Sequence, residues 1–381
     1  VQTVTLRQPN KVMFGQGCAD QCATDILALG LKHAFIVTSP PIVGLAEPLA
    51  KRLREGGATA TIYPKIAAEP AVSTLGAALG AARAVQADAV VGLGGGSSMD
   101  VAKLVAALYD GRQDVHDVFG TDLVASRPLY LACLPTTAGT GSEVSPIAIL
   151  FDETEQLKRG IVSPHLVADA AYVDPLLTMT LPPGVTAATG LDALTHCVEA
   201  YANRFSHPVV DLYALEGIRL IAAHVVRVVK QGDDLEARAH MALGSLYGGL
   251  CLGPVNTAAV HALAYPLGSE FHVAHGVSNS VLLPHVLRFN LPAAPERYAR
   301  VALALGVEPG RSHLETAERG LDKLFALSQA CGIPTGISEL EIPESAIPRM
   351  AGAAMKVTRL LKNNLRELTA ADAEAIYRAA Y

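Results

Sequence analysis

Asp192 and His196 stand four residues apart in "TGLDALTHCVEAY" (189–201), a run whose Leu191, Leu194, Val198 and Tyr201 read as a buried face. On a helix, residues i and i+4 stack on one side, so a carboxylate and an imidazole point at one common spot. A shared metal ion gives that pairing a purpose; a cap, a salt bridge or a satisfied core histidine is the plainer account of such a pair alone. More donors come from "HALAYPLGSEFHVAHG" (261–276), which holds His261, His272 and His275. On one straight helix His261 and His275 would lie roughly 21 Å apart at about 1.5 Å per residue, too far for one ion. Pro266 and Gly268 are expected to break that helix and fold it back; alternatively His272 and His275 chelate locally at i, i+3, and spacing alone does not choose. Imidazoles with a carboxylate form a borderline donor set suited to Fe2+ or Zn2+, an ion that acts as a Lewis acid on an alcohol or carbonyl oxygen.

A second chemistry lies in "VVGLGGGSSMDVAKLVA" (90–106): an apolar strand, three glycines, two serines and a helix. A strand that passes through glycines into a helix N-terminus leaves free N–H groups and a positive dipole end, which suits a pyrophosphate. The pattern departs from G-x-G-x-x-G because Ser97 takes the third glycine position, and it does not sit in the first βα unit. "PTTAGTGSEVSP" (135–146) then sets Thr136, Thr137, Thr140, Ser142 and Ser145 around two glycines, hydroxyls that serve a ribose or phosphate or satisfy the loop itself.

Elements must hold these turns in place. "HAFIVT" (33–38), "ATATIY" (58–63), "DAVVGLG" (88–94) and "LYLACLPT" (129–136) read as strands, and Val43 to Glu55, Val72 to Gln86 and Met99 to Tyr109 repeat apolar positions at helical spacing. That alternation predicts a mostly parallel sheet covered on both faces. From Val185 onward the chain reads as helices, broken at His207-Pro208, Gly232, Gly253-Pro254, Pro266, Pro284 and Pro334, so a boundary near 182 divides an α/β domain (1–180) from an all-helical one (181–381). Half of the 381 residues are apolar and 17% are charged, the composition of a folded globular chain. The net charge of −6 comes without a run of like charge, which excludes gripping nucleic acid or an anionic membrane. Six dispersed cysteines fit a reducing compartment rather than a disulfide framework. With no leader-like start and no apolar run near the roughly 18 residues that span a bilayer, the chain is expected in the cytoplasm.

Together, "GGGSSMDVAK", "PTTAGTGSEVSP", "GLDALTHCVEAY" and "HALAYPLGSEFHVAHGVSNSVLLPHVLRFN" resemble the iron-containing (group III) alcohol dehydrogenases, in order and over nearly the whole chain. The resemblance implies a dehydroquinate synthase-like architecture: an α/β nucleotide-binding domain with a mostly parallel sheet, then an all-α metal-binding, catalytic domain. It implies Asp192, His196, His261 and His275 as ligands of Fe2+, with Zn2+ as the alternative ion, and leaves His272 outside the ligand set. Gly95, Gly96, Ser97, Asp100, Thr136, Thr137, Thr140, Ser145 and Lys158 fall where the family contacts its cofactor. Ser39 replaces the aspartate with which many members hold the adenosine ribose, so the cofactor is NAD or NADP. Tyr265 stands where many members have a histidine near the nicotinamide, which makes Tyr265 and His272 candidates for a proton relay, although an unperturbed tyrosine pKa of about 10 makes a poor relay at neutral pH. The implied activity is reversible alcohol–aldehyde or alcohol–ketone interconversion on a small molecule, by a homodimer or larger homo-oligomer. A lyase or cyclase of the dehydroquinate synthase type, a maleylacetate-reductase-like enzyme and a non-catalytic assembly or sensing module are the competing readings.

Overall fold

A computed structural model describes residues 3–155 and 157–381. Its internal contacts form two compact units: Leu6–Thr137 with Gly141–Met179, and Thr180–Tyr381 with residues 138–140 and the segment ending at Thr5. Among the described residues no helix is long and apolar enough to cross a membrane.

The first unit comprises, in chain order, β1 (Lys11–Phe14), α1 (Asp20–Ala28), β2 (His33–Val37), α2 (Val43–Glu55), β3 (Thr59–Tyr63), α3 (Val72–Ala84), β4 (Ala89–Gly94), α4 (Gly96–Leu108), α5 (Val115–Val118), β5 (Gly120–Thr121), β6 (Tyr130–Pro135), β7 (Ile147–Asp152), β8 (Leu157–Val162) and β9 (Ala170–Val173). Six strands pair in the order β1-β9-β6-β4-β2-β3, every pair parallel. Period-two alternation divides the core: Phe35, Val37 and Val90 join α3 and α4 on one face, whereas Ala34, Ile36, Val91 and Leu93 join α1 and α2 on the other. β4 is therefore buried at every position, as the middle of a parallel sheet requires. A Cβ at Gly92 would lie 2.9 Å from the Ala102 Cβ and 3.0 Å from the Met99 Cα, so glycine lets α4 pack closely on this strand. β2 leads outward to β3 while β4 leads to β6 on the opposite side, which makes the C-terminal ends of β2 and β4 a topological switch point. Ser39 and Gly95 follow those two strands.

The expected strands near 33, 58, 88 and 129 are present, and the helix over Val43–Glu55 has the expected bounds. The sequence gives no sign of β1 and β9, four residues each, or of a second sheet, β5-β8-β7, in which β7 and β8 form an antiparallel hairpin.

The second unit is helical: α6 (Pro183–Tyr201), α7 (Pro208–Lys230), α8 (Leu235–Leu252), α9 (Ala259–Phe271), α10 (His275–Asn290), α11 (Pro295–Ala304), α12 (His313–Ala330), α13 (Ile347–Ala354), α14 (Thr358–Leu361) and α15 (Ala370–Ala379). Side chains of His207, Asp234, Ser312 and Thr369 cap α7, α8, α12 and α15. Two expected breaks are corrected. α9 runs through Pro266 and Gly268, and α10 runs through Pro284; each proline is buried, and packing around it outweighs the one backbone bond it cannot donate. The reversal instead occurs at His272, which turns left-handed (φ 56°) and ends α9. The next helix starts at His275, which brings the rings of His261 and His275 to a centroid separation of 5.2 Å.

Candidate functional site

α6 presents Asp192 and His196 on one face, both buried. A Cβ on Gly276 would lie 2.0 Å from the Ala188 carbonyl oxygen, so the first turn of α10 rests directly on the α6 backbone. Asp192 Oδ1 is 3.8 Å from His261 Nε2 and 3.7 Å from His275 Nε2. One donor atom from each of these three residues lies within 4.8 Å of the others. Donors bound tetrahedrally at about 2.0–2.2 Å sit about 3.3–3.6 Å apart, so this spacing fits a single ion. His196 stands outside that mutual group but reaches it through His261, Nε2 to Nε2 at 3.0 Å.

The hydrogen bonds on the far side of the rings fix which nitrogens are free. His196 Nδ1 lies 3.3 Å from the Gly139 carbonyl, and His261 Nδ1 lies 2.5 Å from Glu199 Oε2. Both partners only accept, so both Nδ1 atoms carry hydrogen and both Nε2 atoms face each other with lone pairs. Two lone pairs at that range, beside a carboxylate, are an arrangement that a cation satisfies. Burial alone would raise the Asp192 carboxyl, but His196, His275, His261 and the Asn279 amide outweigh it and hold it below the usual carboxylate range. Burial, joined by His261, pushes His196 down against the pull of Asp192. Carboxylate and neutral imidazole are the ligand-competent forms. His275, with a third of its side chain exposed (33%), marks the open side of the cluster, while Asp192, at 4%, lies at its closed base. The residues present therefore fit a bound transition metal.

Sequence reasoning misses two members of this cluster. Glu199 follows His196 by three residues, and the D-x-x-x-H-x-x-E spacing is the signal that could have found it: i, i+4 and i+7 share one stripe. Asn279 Nδ2 donates to Asp192 Oδ1 at 2.7 Å and lies 3.1 Å and 3.3 Å from the Nε2 atoms of His261 and His275. Tyr265 is half-buried on α9 with its ring centroid 6.5 Å from that of His275. His272 is exposed at the end of α9.

In the α/β unit, Gly95 is the N-cap of α4 and no side chain caps the helix, so the N–H groups around Gly96 and Ser97 stay available to an anion. A Cβ on Gly94 would fall 2.6 Å from Ser98 Oγ, so this turn closes only with glycine there. Thr136 N–H donates to the Gly94 carbonyl at 2.9 Å, and a Cβ on Gly95 would touch Thr137, which sets the hydroxyl turn beside the glycine turn. Asp100 and Ser145 also join a buried hydrogen-bond network. Asp100 accepts from the Ser142 hydroxyl (2.7 Å) and the Ile149 N–H (2.9 Å). Lys103, wholly buried one turn later, donates to Ser142 Oγ and to the Ser145 and Ile147 carbonyls at 2.8–2.9 Å, with Ser145 Oγ at 3.5 Å. Burial pushes Lys103 down and Asp100 up, each opposed by the other's charge; the neighbouring Glu143, also buried, is pushed up to about 7 by burial. This buried network pins residues 142–149 to α4. Lys103→Met strands its acceptors and Asp100, and is expected to cost about 3–5 kcal/mol of stability in urea unfolding. Thr140 groups with the helical unit, and Lys158 pairs with Glu69 at 2.5 Å. Ser39 has no basic neighbour in sequence; next to it, the Ile66 N–H bonds the Thr38 carbonyl at 3.2 Å, which brings the loop that carries Lys65 to the end of β2, with the Lys65 ammonium 5.8 Å from the centroid of the Tyr63 ring.

Residues 9–175 match the family described as iron-containing alcohol dehydrogenase, and residues 186–381 match the Fe-containing alcohol dehydrogenase family, C-terminal. The chain is 40% identical over 373 residues to long-chain-alcohol dehydrogenase 1 of Geobacillus thermodenitrificans, covering 96% of this chain and 94% of that protein. It is 33% identical over 351 residues to the NAD-dependent methanol dehydrogenase of Bacillus methanolicus, covering 91% and 92% of the two chains. A solved 1,3-propanediol oxidoreductase superposes with a TM-score of 0.96 at 34% identity, over 100% of both chains. The chain therefore belongs to the iron-containing alcohol dehydrogenase family and is an oxidoreductase of the alcohol dehydrogenase kind.

Proposed function

We propose that Asp192, His196, His261 and His275 hold one Fe2+, with Zn2+ as the alternative, and that the chain interconverts a small alcohol and its aldehyde or ketone with NAD or NADP. The observation that carries this is the pair of Nε2 atoms of His196 and His261, 3.0 Å apart, both of whose Nδ1 atoms are already committed to acceptors. When bound, the ion supplies Lewis acidity to the substrate oxygen and the nicotinamide supplies or takes the hydride. The helical domain, 181–381, contributes the ligand cluster. Tyr265, next to His275, orients the substrate hydroxyl by hydrogen bonding and hands its proton on to solvent, with the exposed His272 as the second relay candidate.

The α/β domain, 1–180, holds the cofactor: Gly95, Gly96 and Ser97 bind its pyrophosphate through backbone N–H groups at the start of α4, and Thr136, Thr137 and Thr140 offer hydroxyls. Asp100 and Ser145 act behind this surface, by fixing the two turns to each other; Lys158 contributes only where it leaves Glu69. Ser39 puts no carboxylate against a 2′-phosphate, and the proximity of the Lys65 loop admits NADP alongside NAD. The six free cysteines suit a reducing cytoplasm. The edge strand β1 exposes Val12 and Phe14, a surface that a homodimer or larger assembly would cover. The test is an alcohol and aldehyde panel with each cofactor. Steady accumulation of reduced nicotinamide with a primary or secondary alcohol is expected; turnover of substrate with no net change in the cofactor would replace the dehydrogenase reading with the lyase one.

A further inference from the structure

α9 begins after Ala258, whose side chain cannot cap it. Glu199, buried on α6, does so from the neighbouring helix: Oε1 accepts the Val260 N–H at 2.6 Å, and Oε2 meets His261 Nδ1 at 2.5 Å. Both oxygens are thus committed, one to the helix terminus and one to the ring. An ionised carboxylate only accepts, which assigns the hydrogen to Nδ1 and the lone pair to Nε2. The Asn279 amide, 3.1 Å from that Nε2 and donating to Asp192, agrees with a lone pair there.

We propose that Glu199 is a positioning residue for the metal centre: by accepting the Nδ1–H of His261 it fixes the ring's tautomer and rotation and strengthens Nε2 as a donor. This rests on the reading above that His261 is a ligand. The competing account is that Glu199 merely caps α9. Glu199→Gln separates the two. Its amide oxygen can still take the Val260 N–H, but its NH2 group then faces Nδ1 as a donor. The imidazole must shift its hydrogen to Nε2, and the lone pair turns away from the site. The cap survives and the ligand is lost.

The experiment is a chelator competition with Zn2+, and with Fe2+ under anaerobic conditions, on the full chain and its E199Q variant, alongside urea unfolding of each. Metal affinity of E199Q is expected to fall by about 10–100-fold while the unfolding midpoint stays near that of the parent. Equal affinity in the two proteins overturns the proposal and leaves the metal reading intact. A parent chain that binds neither ion overturns both. Should E199Q fail to fold, nitrogen-15 NMR of the metal-free parent decides: an Nδ1–H tautomer at His261 supports the proposal, and an Nε2–H tautomer overturns it.

Discussion

His261→Ala is expected to empty the site of metal and to lower kcat/KM by at least about 10^3-fold, the several kcal/mol that a Lewis acid contributes to such chemistry. Two effects combine. The Nε2 that lies 3.0 Å from His196 and 3.8 Å from Asp192 is removed, and the remaining imidazoles cannot close the gap from their own helices. Glu199 also loses one of its two partners inside the core, which adds a stability cost of about 1–3 kcal/mol. Elemental analysis of the purified variant with steady-state kinetics checks the outcome. Full turnover in a verified metal-free variant would remove the ion from the mechanism.

Gly276→Ala is expected to act on the same site without touching a donor atom. The new methyl would lie 2.0 Å from the Ala188 oxygen and 2.6 Å from its carbonyl carbon, both backbone atoms of α6 that no rotamer change can clear. α10 must therefore lift from α6 by about an ångström, with His275 at its first position. Overpacking usually costs about 1–3 kcal/mol, and a backbone obstacle places this case at the upper end. Metal affinity should fall at least about tenfold as His275 leaves the reach of Asp192, in line with the sensitivity of metal sites to what supports their ligands. Urea unfolding and chelator competition measure the two effects; a variant within about 0.5 kcal/mol of the parent and equal in affinity would show that the close approach is dispensable.

Much of this was legible because periodicity reports which face of an element is buried. Strands 33–38 and 88–94 announce themselves through unbroken apolar runs, and the D-x-x-x-H spacing reports a shared helix face before any tertiary contact is known. β1 and β9 are silent for the opposite reason: each is four residues long, and they find each other across the chain, Lys11 opposite Ala170. The hairpin of β7 and β8 is built partly from Lys158 and Arg159, polar residues that carry no strand pattern. Proline misleads at 266 and 284, where surrounding burial overrides a local penalty, and the true turn falls on His272, a type that enters the left-handed region more often than most but signals a turn far less strongly than glycine does. Hydroxyl density at 136–145 leaves open on sequence alone whether the hydroxyls serve a ligand or the loop itself, and what it does not announce is that Ser142 and Ser145 face Lys103. A lysine in an apolar helix looks like a solvated edge until the fold surrounds it, and Glu199 is hidden in the same way.

The decisive measurement is the metal content of the native chain after anaerobic purification, taken with its dehydrogenase activity. About one equivalent of iron or zinc per chain, removed by a chelator together with alcohol oxidation and restored together with it, is the expected result. A chain that carries no metal and oxidises alcohols at an undiminished rate in the presence of chelator would contradict it.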